Sequence, residues 1–87
     1  MDFRAFCNIK GLVLLRDDIS FVRNCLFKIP KSSHKCVMSD YIREWQSGIA
    51  NDPNEASKQN SGRFRANSWL REYVSHNPNQ SIIRNRV

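Results

Sequence analysis

Eighty-seven residues carrying fourteen Lys and Arg against eight Asp and Glu make a short chain of net charge +6. Domains run about 50–250 residues, so this length supports one modest core and excludes barrel enzymes, doubly wound nucleotide-binding sheets and sites assembled from distant loops. The positive balance favours polyanionic partners, because summed positive potential raises the rate of encounter with phosphates.

The first fifteen residues admit two readings. Phe3, Ala5, Cys7 and Ile9 alternate as a strand does, and Lys10-Gly11 can turn the chain back into Leu12–Leu15. Phe3, Phe6, Cys7 and Lys10 also fit helical spacing, with Gly11 as the break. The favoured expectation is a short β-hairpin or extended segment. From Asp17 onward the pattern predicts a helix over 17–28. Asp17 and Asp18 suit the positive end of a helix dipole, Ile19, Val22, Cys25 and Leu26 recur at three- and four-residue spacing, and Pro30 stops the run.

A second helix is expected from Ser39, a good N-cap, with Asp40 in its first turn and Tyr41, Ile42, Trp45 and Ile49 as its apolar stripe. Asn51-Asp52-Pro53 ends it. Residues 51–62 are polar and read as an exposed connector, within which Asp52 and Glu55 have capping-box spacing. The third helix carries Ala66, Trp69, Leu70, Tyr73 and Val74 on one face, with Asn60 or Ser61 as its cap. The expected fold is mainly α. It is a single three-helix domain over residues 1–75, opened by the short hairpin or extended segment and followed by a mobile basic tail over 76–87.

The charge is unevenly placed: residues 1–36 contribute +4, residues 37–57 contribute −3 and residues 58–87 contribute +5. Two basic zones flank an acidic waist. Lys28, Lys31 and Lys35 gather at the end of the first long helix, where cations either complement the helix dipole or bind phosphate. On the last helix Asn60, Arg63, Asn67 and Arg71 share a face beside the apolar stripe. Arginine offers a planar fork of donors for phosphate, and Asn can reach phosphate, sugar or base edges. Phe64 either stacks on a base from this face or folds back into the core.

Three cysteines, Cys7, Cys25 and Cys36, cannot all pair within one chain, so reduced thiols and a cytoplasmic location are expected. Arg4, Asn8 and Lys10 interrupt the N-terminal apolar residues, unlike a signal peptide, and no apolar run is long enough to cross a membrane. Catalytic motifs are absent from the sequence: no glycine-rich phosphate loop, nucleophile elbow or His-x-x-x-His pair occurs. His34, His76 and the cysteines lack the close Cys-x-x-Cys pair that usually nucleates zinc sites, so no metal or other cofactor is expected.

Glu44-Trp45-Gln46-Ser47-Gly48-Ile49-Ala50, together with Ala66-Asn67-Ser68-Trp69-Leu70-Arg71 and with eighteen residues between Ala50 and Trp69, resembles the two-helix unit of the bacterial ribosome modulation factor family. The resemblance spans about thirty residues and leaves the first forty outside it. It lacks the family's Cys-Pro-aromatic or Asn-Pro-aromatic loop and its Gly-Trp continuation. It implies that Trp45, Gly48, Trp69 and Leu70 form the helix–helix contact and that Arg63, Arg65 and Arg71 meet ribosomal RNA.

Taken together, the sequence reads as a small non-enzymatic regulator binding RNA or a ribonucleoprotein through Lys28, Lys31, Lys35, Asn60, Arg63, Arg65, Asn67 and Arg71. One alternative is a phage- or plasmid-encoded inhibitor or adaptor acting on a host protein complex. There the acidic waist around Asp40, Glu44, Asp52 and Glu55 matters as much as the arginines. Another is a small DNA-binding transcriptional regulator. The spacing of the helices fits poorly with a helix-turn-helix, whose units join through about 3–4 residues. Oligomeric state is open on sequence grounds.

Overall fold

The computed structural model describes residues 2–76. The proposed tail from residue 77, including Arg84 and Arg86, lies outside the described residues. Among the described residues the chain forms four helices and no strand: α1 (Phe3–Cys7), α2 (Arg16–Leu26), α3 (His34–Ala50) and α4 (Lys58–Ser75), with a 3-10 turn at Lys31–Ser33 before α3.

The N-terminal segment corrects the favoured hairpin. Phe3–Cys7 is one helical turn, capped by Asp2, whose carboxylate accepts the Ala5 amide at 2.8 Å. Phe6 is fully buried against Tyr41, ring centroids 5.6 Å apart. Burial of Phe6 outweighs the alternating pattern, and the segment expected to pair back, Leu12–Leu15, is held instead by Gln59 and Arg63 of α4. Gly11 turns with φ +93°, a conformation that glycine adopts without a Cβ penalty. Leu12–Leu15 then runs extended into α2.

Helix α2 begins one residue before the expected start and ends two before the expected end. Leu15 is its N-cap and supplies no side-chain bond. Asp18 instead accepts the Leu15 amide at 2.9 Å from inside the first turn. At the other end His34 bridges the corner into α3, its Nε2–H donating to the Leu26 carbonyl at 2.7 Å. The same carbonyl accepts the Ile29 amide at 3.3 Å, so the side chain and the turn together satisfy a group at the helix end.

Helix α3 starts at His34, five residues before Ser39. Ser39 is an exposed interior residue, and Val37 and Met38, both buried, extend the Tyr41, Ile42, Trp45 stripe by a further turn. Burial of that turn decides the boundary over capping preference. Helix α4 likewise starts at Lys58, before Asn60 and Ser61, which shortens the connector to 51–57. Asp52 organises this connector by accepting from the Asn54 amide (2.9 Å), the Ser57 hydroxyl (2.8 Å) and the Ser61 hydroxyl. Helices α3 and α4 form an antiparallel pair, and α2 lies across it parallel to α4. Phe6, Val22, Tyr41, Trp45 and Leu70 are the largest side chains fully enclosed between them.

Candidate nucleic-acid interface

Asp18 sits at the centre of the bundle's polar seam, 4% exposed. A buried carboxylate is costly unless paired and hydrogen-bonded, and here the last helix supplies the partners. Arg63 Nε donates to Asp18 Oδ2 at 2.8 Å and Asn67 Nδ2 donates to Asp18 Oδ1 at 3.2 Å. The Tyr41 hydroxyl donates in turn to Asn67 Oδ1. Burial, reinforced by the Asp18 charge, pushes the Tyr41 phenol well above its ordinary pKa, so this hydroxyl remains a donor throughout the neutral range.

Arg63 and Asn67, expected to meet nucleic acid, therefore face inward. The other two guanidinium nitrogens of Arg63 donate to Asn60 Oδ1 at 2.6 Å and to the Val13 carbonyl at 2.9 Å, and its Cζ lies 5.3 Å from the Trp45 ring centroid. The same contact engages Asn60. Arg65 lies on another flank of α4, where Nε donates to Glu44 at 2.9 Å. Arg71 is exposed and covers the Phe21 ring at 5.3 Å. Asn60 and Arg71 are exposed while Arg63 and Asn67 are half-buried in these contacts, and all four line one open cavity of about 350 Å³ on α4.

Gln59 is the residue that sequence reasoning missed. Its Oε1 accepts from Trp45 Nε1 at 2.9 Å and from the Val13 amide at 3.2 Å, and its Nε2 donates to the Gly11 carbonyl at 3.1 Å. With Arg63 it pins the extended 11–15 segment to α4. No local signal marks it, since its N-terminal partners are 46 and 48 residues away.

The basic corner keeps its character. Lys28, Lys31 and Lys35 are all exposed, and among the described residues no carboxylate pairs with Lys31 or Lys35, which lie four residues apart across the junction into α3. Phe27, next to Lys28 in the chain, is 80% exposed and shares with Phe3, Arg23, Leu26 and His34 a shallow cavity of about 270 Å³. Arg23 lies over the Phe3 ring at 5.2 Å. Burial pushes the Cys25 thiol up, and the positive charges of Lys28 and of Arg71 act on it in the opposite sense.

No family model, curated protein or solved structure matches the chain. Of the residues in the ribosome-modulation-factor-like stretch, Trp45, Gly48 and Leu70 are buried between α3 and α4, while Trp69 is half-buried and stacks on Tyr73 with centroids 5.5 Å apart. Among the described residues no three His, Cys, Asp or Glu side chains are placed to hold a metal ion, and no helix is long and apolar enough to cross a membrane. Cys7 and Cys25 are partly or wholly covered, and Cys36 is exposed.

Proposed function

We propose that this chain is a small non-enzymatic regulator that binds RNA or a ribonucleoprotein through the corner formed by the end of α2 and the start of α3. The observation that carries this reading is the exposure of Phe27 beside Arg23 and Lys28, at a corner whose next turn carries the exposed Lys31 and Lys35. An aromatic ring left in water beside cations offers a stacking surface next to phosphate contacts, the combination used by proteins that hold single-stranded nucleic acid. Arg71 adds an exposed cation beside Phe21, on another face of α2. Compared with the sequence reading, the interface moves toward the lysines and away from Asn60, Arg63 and Asn67. The likeness to ribosome modulation factors makes the ribosome the first ribonucleoprotein to test.

The experiment is a salt series of binding to labelled single-stranded RNA, alongside co-sedimentation with ribosomes. Each phosphate neutralised on a single strand contributes about −0.7 to the slope of log K against log salt. The K31E/K35E double variant should flatten that slope by about 1.4 if both lysines meet phosphate, and Phe27→Ala should weaken binding without changing the slope. Binding that hardly responds to salt, or that is unaffected by these substitutions, would sink the reading.

A further inference from the structure

The nucleic-acid reading leaves one flank of α4 unused. Phe64, Arg65, Ser68, Trp69 and Glu72 follow one another at helical spacing and, with Gly48 of α3 in the floor, line an open groove of about 760 Å³. Phe64 stands at its edge, 76% exposed. A large ring held in water beside an apolar hollow marks a surface that another molecule covers.

We propose that this surface pairs with the same surface of a second copy of the chain, α4 antiparallel to α4, about a two-fold axis between Ser68 and Trp69. A two-fold interface must be self-complementary, because each patch meets itself reversed. About this axis, residues equally distant on either side face one another. Arg65 is three residues before Ser68, and Glu72 is three residues after Trp69. Arg65 of each copy therefore faces Glu72 of the other, giving two reciprocal ion pairs. Phe64, at the edge of the same face, loses its exposure to water as the two copies close over the groove.

The charges select this arrangement over its neighbours. Parallel pairing sets Arg65 against Arg65 and Glu72 against Glu72. Sliding the axis one turn toward the N-terminus sets Arg65 against Phe64 and Glu72 against Ser57. Both charged groups have capacity for the new contact. Arg65 uses only Nε on Glu44, leaving its two terminal nitrogens, and Glu72 is a 76% exposed carboxylate whose nearest basic group is His76 at 3.4 Å. The small side chain of Ser68 at the axis lets the two helices approach closely. None of Lys28, Lys31 or Lys35 takes part, so the pairing stands independently of the nucleic-acid reading.

The test is sedimentation velocity of the full chain from low micromolar to near-millimolar concentration. The wild type should rise toward twice the monomer mass. R65E and E72R should each weaken association about tenfold or more, since each sets like charges in contact. The R65E/E72R double variant should recover association to within a few fold of the wild type. Phe64→Ala should weaken it while leaving the melting temperature unchanged, because the ring is exposed in the monomer. Should R65E lose stability with its Glu44 contact, E72R and Phe64→Ala still decide the matter. A chain that stays monomeric throughout, or a double variant no stronger than the singles, overturns the proposal.

Discussion

Gly48 and Gly62 pass so close that α3 and α4 meet backbone to backbone: a Cβ on Gly48 would fall 2.7 Å from Gly62 Cα. A Cβ on Gly62 would collide with Trp45 Cδ1 and fall 2.7 Å from the Trp45 carbonyl oxygen. Those separations are below any ordinary contact, so a methyl group must push the helices apart or tilt the indole. Either movement disturbs Trp45, which is fully buried and hydrogen-bonded to Gln59.

Gly62→Ala should therefore destabilise the fold, although alanine is the better helix former. The propensity gain is about 1 kcal/mol, whereas overpacking of a filled core costs about 1–3 kcal/mol and the clash here includes backbone. A urea melt should show a lower midpoint for Gly62→Ala than for the wild type. An equal or higher midpoint would mean that the helices do not cross at this point.

The same seam predicts an asymmetry between single and double substitutions. Removing Asp18 or Arg63 alone leaves a buried partner uncompensated, a loss of about 3–5 kcal/mol for a buried pair. The Arg63 side chain keeps 20% of its surface in contact with solvent, against 5% for Asp18, so Arg63→Met should fall near the low end. Asp18→Leu should cost more, because it also strands the Leu15 amide and Asn67. The D18L/R63M double variant should be less destabilised than the sum of the singles. Simple additivity in a denaturation cycle would refute direct coupling.

Apolar periodicity was sufficient for the three long helices. Val22, Cys25 and Leu26, then Tyr41, Ile42 and Trp45, then Ala66, Leu70 and Val74 are all buried at the spacing that identifies them. Their boundaries were not legible in the same way. Ser39 and Ser61 look like caps, yet each sits inside a helix that tertiary burial carries past it. Gly62 looks like loop punctuation, and only the position of Trp45 across the helix pair reveals it as a contact. The candidate site was legible only in part, for a related reason. Arg63 and Asn67 share a helical face with Arg71, but their partner Asp18 is 45 and 49 residues away in sequence. Side-chain type alone does not separate a buried pairing role from an exposed binding role. Phe27 escaped notice for the converse reason: its exposure depends on the turn at Pro30 directing the chain away from it.

Asp52 gives the connector a pH dependence. The Ser61 hydroxyl, then the Asn54 amide, then the Ser57 hydroxyl hold its carboxylate below the ordinary carboxylate pKa. A lowered folded-state pKa means the unfolded chain takes up the proton first, so folding is favoured above the ordinary value near 3.8. That stabilisation is lost as pH falls through the folded value. Ser61→Ala should raise the Asp52 pKa measured by carboxyl NMR titration. In thermal melts at descending pH, Asp52→Asn should lose less stability across the acidic window than the wild type. An Asp52 titration unchanged by Ser61→Ala would contradict the hydrogen-bond account.

The three thiols should separate cleanly in alkylation. Cys36 projects from α3 into solvent, whereas Cys25 is 6% exposed and its thiol is pushed up mainly by burial, with Lys28 and Arg71 opposing. The thiolate is the reactive form, so raising the pKa and closing access both slow Cys25. Cys7 is intermediate in cover, and burial raises its thiol as well, against the charge of Arg23. Limited iodoacetamide treatment of the native chain, read by peptide mass spectrometry, should modify Cys36 first, Cys7 more slowly and Cys25 last. Denaturant should bring the three rates together. The Cys25 rate also reports on Arg71. Arg71→Ala removes a cation that favours the thiolate and uncovers Phe21, so electrostatics predicts slower modification and loosened packing predicts faster. A rate that falls while the melting temperature holds would identify the Arg71 charge as the operative influence at Cys25. A rate that rises with a lowered melting temperature would instead make Arg71 a packing residue over Phe21.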